Sequence, residues 1–594
     1  MKIEKKTLAV AVLLFAVVAA MGLQTLSFDF NRLDDNLYVF ENAAVSAGLG
    51  WANFKEVATN LIHGGIWMPL TSLTYMLDIS LFGPSPGVHH YVNWVFHGLN
   101  TVLVFFLFMR LTGRRSVFAA AIAAALWAFH PQRCESVAWI ASRKDVVFTL
   151  FFMLGLHLWV PDPETRRVRP VRAALAYLAM LLSCTAKPTA MVFPAVAFAV
   201  EWFALGAEVK RDFRRRLIKY LPLVLMAAAT AALAVYSQTH SDEEDFEFVR
   251  GLNEGYGSFV WRCFNAAIAI GLYTLQTVVP WNLHIEYRAF PDAVPAGALP
   301  GLLVFAAIVA ALVIAARRRR GGAALWACAL WYIAALAPTL GVAGGFGAHA
   351  RADRFLYLPM IGVSLYLAHL LVVHPPRNWV RVALVAAVLF YAGSMYYNNR
   401  FYRDNFTFFG RVMDIDPDHF VANSQVATDY AARFGDLDTS VELFRRALAQ
   451  VDNDEQVVAN YVAILAMRGR REDHAEIRHR CRLLAERPEL DDRGIASEAL
   501  GTVEMRERNW DQAIRLFAAS AAAPKRRSKP DTALIQMAMC RFNKGDLDGA
   551  EKEFRILSTK ATVPKVRERA RQAMQQIWAI RANAGPRIPN GVKQ

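Results

Sequence analysis

Up to about Tyr397 the chain is a succession of apolar runs long enough to cross a bilayer, and beyond that point such runs stop. A helical crossing takes roughly 20 apolar residues, and only backbones that satisfy their own hydrogen bonds persist in the hydrocarbon layer. The pattern therefore predicts an all-α protein: a polytopic membrane region, then a soluble one. With 594 residues, 55% of them hydrophobic and only 20% charged, one soluble domain is excluded.

The first run, Leu8–Leu23, follows a basic start and lacks a small-residue cleavage site, so it reads as an uncleaved span with a cytoplasmic N-terminus. Further runs centre on Val92–Met109, Val117–Phe129, Val146–Val160, Ala173–Ser183, Met191–Leu205, Leu217–Tyr236, Leu302–Ala316, Ala323–Leu340, Phe355–Val373 and Val382–Tyr397. That makes about eleven spans. Every second loop is basic: Arg114 and Arg115; Arg166, Arg167 and Arg169; Lys210 to Arg216; Arg317 to Arg320; Arg377 and Arg381. Membrane orientation explains these clusters, and with them the net charge of +15, without a nucleic-acid partner. Counting Phe264–Val279 as a crossing would put Arg317–Arg320 outside, so it is read as re-entrant or interfacial. The outer loops are then Gln24–Tyr91, Pro131–Asp145, Ser237–Leu299 and Gly341–Arg354, and the C-terminal region lies on their side. The run Asp242–Asp245 in the third reads as a solvated charge cluster. The six cysteines form no CxxC pair and suggest neither a metal site nor a disulfide framework.

The soluble region repeats itself. Phe434-Gly435-Asp436-Leu437-Asp438-Thr439-Ser440 recurs as Lys544-Gly545-Asp546-Leu547-Asp548-Gly549-Ala550, with related turns at Arg508-Asn509-Trp510 and Arg468-Gly469. The small residues Ser440, Ala475, Ala513 and Ala550 are spaced by 35, 38 and 37, close to the roughly 34-residue tetratricopeptide period. Amphipathic helices follow each turn, as in Val441, Leu443, Phe444, Ala447 and Leu448. Four degenerate repeats are expected over about Asn423–Ala561, offering a concave surface for an extended peptide or for a structural partner. The predicted division is a membrane domain over 1–397, a linker over 398–422 and a repeat domain with tail over 423–594.

Polar residues at the span ends are the candidates for chemistry, because ionisable groups at a bilayer face a protein cavity or one another. The first outer loop carries Asp34 and Asp35, a general base with its support or a solvated helix cap. The second runs from His130 and Pro131 through Glu135, Arg143 and Lys144 to Asp145. The last carries His349 and Arg351 to Tyr357, where Arg354 can grip a phosphate or only anchor the span.

Taken in order, these stretches resemble the membrane-plus-tetratricopeptide protein O-mannosyltransferases and their bacterial relatives, of the GT-C glycosyltransferase superfamily. The matching residues are Leu33-Asp34-Asp35 with Asn42, Pro69 to Leu73, Phe82-Gly83, His90-Tyr91-Val92-Asn93 with His97, and His130-Pro131 through Asp145. Lys187-Pro188, then Pro280, Leu283 and Tyr287, then Asp353 to Pro359 follow. The resemblance implies an outward-facing site, a polyprenyl- or dolichyl-phosphate sugar donor and an acidic base in the first loop, which falls on Asp34 or Asp35. Met68 and Arg133 depart from the pattern, standing where Arg and His are frequent.

The expected reaction is an inverting transfer to a hydroxyl, such as a Ser or Thr of an envelope protein, with the base opposite the leaving phosphate. Arg354 is the first candidate to stabilise that phosphate, then Arg143 and Lys144. His90, Asn93, His130, Glu135, Asp145, Lys187 and Tyr357 are expected to support the site. Arginine can handle a monophosphate leaving group, so no metal cofactor is required. The expected location is the inner (cytoplasmic) membrane, with the repeats periplasmic and presenting the acceptor. The alternatives are a non-enzymatic scaffold for envelope proteins and an enzyme acting on a lipid or glycan acceptor.

Overall fold

A computed structural model describes residues 4–161, 168–210, 213–240, 259–280, 283, 287, 298–318, 322–342, 351–451, 454–485, 494–523 and 530–583. The run Asp242–Asp245 and His349 of the last outer loop lie outside them. The described residues are helical with no strand, and the chain forms two compact units, Met1–Val412 and Met413–Gln594.

Each of the predicted runs in the first unit lies on a helix. Among the described residues seven helices are long and apolar enough to cross a membrane, and Val117–Ala128, Pro170–Ala186 and Pro359–Val373 are shorter apolar ones. The remaining run lies on Arg143–Trp159, whose first turn is charged and whose Val146, Val147, Phe152 and Met153 are fully buried. Most of this helix is enclosed by protein, with Leu154 the exposed apolar side chain on it. Proline opens Pro86–Leu111, Pro170–Ala186 and Pro359–Val373, where its missing N–H has no intrahelical partner to lose. At the far end of Arg143–Trp159, Arg110 and Arg172 both donate to the carbonyls of His157 and Val160. Two guanidinium groups thus cap the negative end of one helix dipole. The protein is a multi-pass membrane protein.

The segment Phe264–Val279 is an unbroken helix, Phe259–Val278, so the re-entrant reading gives way. Near its start Arg262 Nε donates to the Val342 carbonyl, just past the helix Gly322–Leu336, and near its end the Thr277 carbonyl meets His130 Nε2. Both partners lie in the predicted outer loops or at their edge, as expected of a helix lying along one face. It is crossed at its middle by Leu299–Arg317, where Gly271 meets Gly301: a Cβ on Gly271 would stand 1.7 Å from the Gly301 carbonyl oxygen. Only two glycines allow so close a crossing.

The first unit extends past the predicted boundary to Val412, because Tyr402, Phe408, Phe409 and Val412 are buried in it. The Asp29 N–H donates to the Arg403 carbonyl, Asn31 Nδ2 to the Tyr402 carbonyl, and the Arg32 N–H to Asn405 Oδ1. The loop after the first span and the chain after the last therefore share a face, which requires an even number of crossings between them.

The second unit comprises four helical hairpins and a final helix, Pro564–Asn583, among the described residues. Gly435, Gly469 and Gly545 end the first helix of their hairpins in the left-handed conformation; Arg508 adopts it in the hairpin whose turn has no glycine. Five residues on from each stand Ser440, His474, Ala513 and Ala550, all buried. The second repeat is thus keyed by His474, one residue before the exposed Ala475 to which the spacing points. A histidine fits because its Nδ1 reaches Glu507 of the next hairpin at 2.8 Å. Asp438 with Arg468 and Arg470, and Asp511 with Lys544, link other neighbouring hairpins in the same way.

At Arg508 an L-residue bears a left-handed backbone strain of roughly 1–2 kcal/mol that glycine does not. Arg508→Gly should therefore stabilise the repeats by up to about 1 kcal/mol, and Gly545→Ala should destabilise them by a similar amount. Urea unfolding of the intact protein, followed by protease resistance of the repeat region, checks both signs.

Candidate active site

The first and second of the predicted outer loops are joined by one buried carboxylate. Asp35 is fully buried, and it accepts the Asn31 N–H on Oδ2 and the Ala141 N–H on Oδ1, each at 2.9 Å. Burial pushes its pKa up to about 7, against the lowering effect of those two hydrogen bonds. Such a value suits a general base, but access comes before acidity. Both of its oxygens are occupied and out of reach of an acceptor.

Asp34, its neighbour, differs in each respect. Its side chain is 32% exposed, and its Oδ2 lies 4.0 Å from Lys144 Nζ. Asp34 also acts electrostatically on Arg354. A carboxylate of the first loop and the arginine of the last therefore belong to one charged cluster. Two buried pairs complete it. Lys187 donates to Asp145 Oδ1 at 2.5 Å, and Arg354 donates to Glu135 through its Nη1, and through its own backbone N–H at 2.8 Å. Lys187 sits at the kink before the helix Phe193–Leu205, and Arg354 on a short turn, Asp353–Leu356, wedged against the second loop.

Between these elements runs a narrow cleft. Its polar lining is Asp145, Lys187, Thr189, Thr339 and Arg354; its apolar lining includes Phe148, Ala335, Phe355 and Leu358. Two cations beside an apolar wall suit a phosphate that carries a hydrocarbon chain. Among the described residues no group of three His, Cys, Asp or Glu side chains is placed to hold a metal ion.

Arg143 does not reach the cleft as a phosphate ligand. It is fully buried, with Nε donating to Asn93 Oδ1, Nη1 to Asp78 and Nη2 to the His89 carbonyl, and with the Tyr75 ring 4.5 Å from its Cζ. Every edge of its fork is engaged, so its charge is structural. Asp78 also holds His89 Nδ1 at 2.9 Å. This Asp78–His89–Arg143 group had no signal in the sequence, since its members lie on three helices.

The remaining expected residues frame the site. Asn93 Nδ2 donates to the Trp139 carbonyl, and His90 lies between the carbonyls of Ala138 and Asp29. His130 meets Thr277 outside the charged cluster. Tyr357 borders the cleft, but its hydroxyl is held by His97 Nδ1 at 2.7 Å and Asn100 Nδ2 at 3.2 Å. Trp127 Nε1 and Arg133 Nη1 donate to the carbonyls of Tyr357 and Leu356, fixing the turn that carries Arg354. Arg133, the departure noted in the sequence, is thus part of this support. Asp353 is buried beside Glu135; burial first, and then that carboxylate, push its pKa up to about 8.

Removing one partner of a buried ion pair leaves an uncompensated charge, at about 3–5 kcal/mol. Asp78→Ala should therefore cost stability on that scale in a thermal melt of the intact protein, whether or not a donor lipid is present.

No family model matches the chain. It is 35% identical over 134 residues to the human protein O-mannosyl-transferase TMTC1, a stretch covering 20% of this chain and 14% of that one. It is 26% identical over 230 residues to the protein O-mannosyl-transferase Tmtc2 of Drosophila melanogaster, covering 36% and 24%. Against the protein O-mannosyl-transferase F38B6.6 of Caenorhabditis elegans it is 23% identical over 312 residues, covering 51% and 42%. The chain thus spans less than half the length of these relatives. Within those spans, it is similar to the protein O-mannosyl-transferases.

Proposed function

We propose that the chain is a membrane glycosyltransferase that moves a sugar from a polyprenyl- or dolichyl-phosphate donor to a hydroxyl acceptor by inverting displacement. The observation that carries this reading is the accessible carboxylate of Asp34, 4.0 Å from Lys144 Nζ, next in the chain to Asp145, which lines an apolar-walled cleft together with Lys187 and Arg354. The names of the similar proteins support mannose as the sugar and a polypeptide as the acceptor. The acceptor is then a Ser or Thr of an envelope protein, brought by the repeats.

In this mechanism Asp34 takes the proton of the acceptor hydroxyl as its oxygen attacks the anomeric carbon. The bond from that carbon to the phosphate oxygen breaks on the opposite face, and the lipid phosphate leaves with the bonding pair. Charge grows on the phosphate as the bond breaks, so cations fixed in advance favour the transition state over the bound donor. Arg354 and Lys187 are those cations. Asp35 holds the loop that carries the base. On this reading the N-terminus is cytoplasmic, the face shared by residues 29–32 and 402–405 is the outer one, and the reaction runs on the periplasmic side of the inner membrane.

Asp34→Asn should lower sugar transfer in membranes by about 10²–10⁴-fold, the usual range for a lost general base, in a protein that still folds. Full activity in that variant would end the base assignment. Asp35→Ala should act through the fold instead. It strands two buried N–H groups at about 1–3 kcal/mol each, read as faster hydrogen exchange over residues 29–36 and 139–143.

A further inference from the structure

Among the cations of the cluster, Lys144 stands apart. Lys187 and Arg354 each hydrogen-bond a buried carboxylate, at Asp145 and Glu135. Lys144 is 5% exposed, and its only ion pair among the described residues is with Asp34 Oδ2, at 4.0 Å. Its ammonium also lies 4.4 Å from the centroid of the Tyr38 ring. A desolvated ammonium over an aromatic face is attracted by the ring quadrupole. The ring itself is fixed: Tyr38 is 5% exposed and its hydroxyl points to the Gly64 carbonyl at 3.5 Å.

Sequence spacing and the Asp35 clasp explain why these groups meet. The Tyr38 N–H donates to the Asp34 carbonyl at 3.0 Å, one helical turn on, and residues four apart share a face. Ring and carboxylate therefore project together. Asp35 holds the Ala141 N–H, and Lys144 follows Ala141 by three residues, at the start of Arg143–Trp159. Lys144 enters the angle between ring and carboxylate from that side. Tyr38 and Asp34 come from the first loop, Lys144 from the second; Asp145, Lys187 and Arg354 also act on it electrostatically.

We propose that Lys144 is a positioning residue for the Asp34 carboxylate, held in place by the face of the Tyr38 ring, and is not a ligand of the donor phosphate. This rests on Asp34 being the base. The ammonium orients the carboxylate toward the acceptor, while the phosphate remains with Arg354 and Lys187. Loss of Lys144 then slows the chemical step and leaves donor binding as it was.

The test is steady-state transfer by the full-length protein in membranes, with the donor lipid titrated at saturating acceptor. Lys144→Met should lower kcat at least tenfold with the donor KM within twofold of wild type, and Lys144→Arg should recover part of the loss. Tyr38→Leu, which removes the ring and keeps the ammonium, should also lower kcat with the donor KM unchanged. A donor KM that rises several-fold in Lys144→Met at unchanged kcat would assign the residue to the phosphate and overturn the proposal; so would wild-type kcat in folded Lys144→Met. If Lys144→Met does not fold, Lys144→Arg and Tyr38→Leu decide by the same split: a fall confined to kcat supports the proposal, a rise in donor KM overturns it. Asp34→Asn is assayed in parallel. Activity there brings down the base assignment itself, whereas an inactive Asp34→Asn beside wild-type kcat in Lys144→Met brings down only the role of Lys144.

Discussion

The site depends on a carboxylate that takes no part in the proposed chemistry. Asp35 is buried between two loops far apart in sequence, and each of its oxygens accepts one backbone N–H, from Asn31 and from Ala141. Peptide N–H groups cannot move independently of the chain, so these two bonds fix the register of one loop against the other. Everything in the charged cluster inherits that register: Asp34 on one side of the clasp, Lys144 and Asp145 on the other. The bonds from residues 29–32 to residues 402–405 then tie the first loop to the end of the last span. The clasp has its own cost. Burial favours the protonated acid, which offers one acceptor less to the two donors, and the balance stands at about 7.

Much of the architecture could be read in the sequence, because the properties that decide it are local. A run of apolar residues predicts a helix wherever it packs, and all the predicted runs lie on helices. The region after Tyr397 was harder. Its aromatic residues Tyr402, Phe408 and Phe409 are interleaved with Arg403, Asp404 and Asn405, so no apolar run forms, yet they are buried. The repeat register shows the same limit. A small residue at about the right spacing singled out Ala475, but the left-handed residue that begins each turn sets the count, and five residues from Gly469 stands His474. Its size is accommodated by a partner in the next hairpin, at Glu507, which no local pattern reveals.

Within the site, the sequence identified the residue types and not their roles. Asp34 and Asp35 are chemically identical neighbours; contact with Ala141, 106 residues away, separates the accessible one from the buried one. Arg143 and Arg354 each stand at a span end among polar residues. Asp78, on the helix Pro69–Phe82, takes the charge of the first, while Glu135, in the second loop, takes that of the second. Both arginines are paired, so pairing alone does not distinguish a structural cation from one able to serve a ligand.

The unused donors do. Arg143 has spent Nε, Nη1 and Nη2 on three separate acceptors. Arg354 gives Glu135 its Nη1 and its backbone N–H, and its side chain borders the cleft. Glu135 thus balances the charge from behind, which lets a guanidinium remain in a buried place, and the rest of the planar fork is left for an anion arriving from the cleft. Lys187, balanced by Asp145, keeps donors in the same way, because an ammonium has three. A phosphate can therefore bind beside two neutralised pairs without breaking either. A cation already balanced by a carboxylate attracts a bound phosphodiester only moderately, and the attraction grows as the phosphate gains its second charge on bond cleavage. That difference, stronger for the departing phosphate than for the intact donor, is what a transferase needs from its cations.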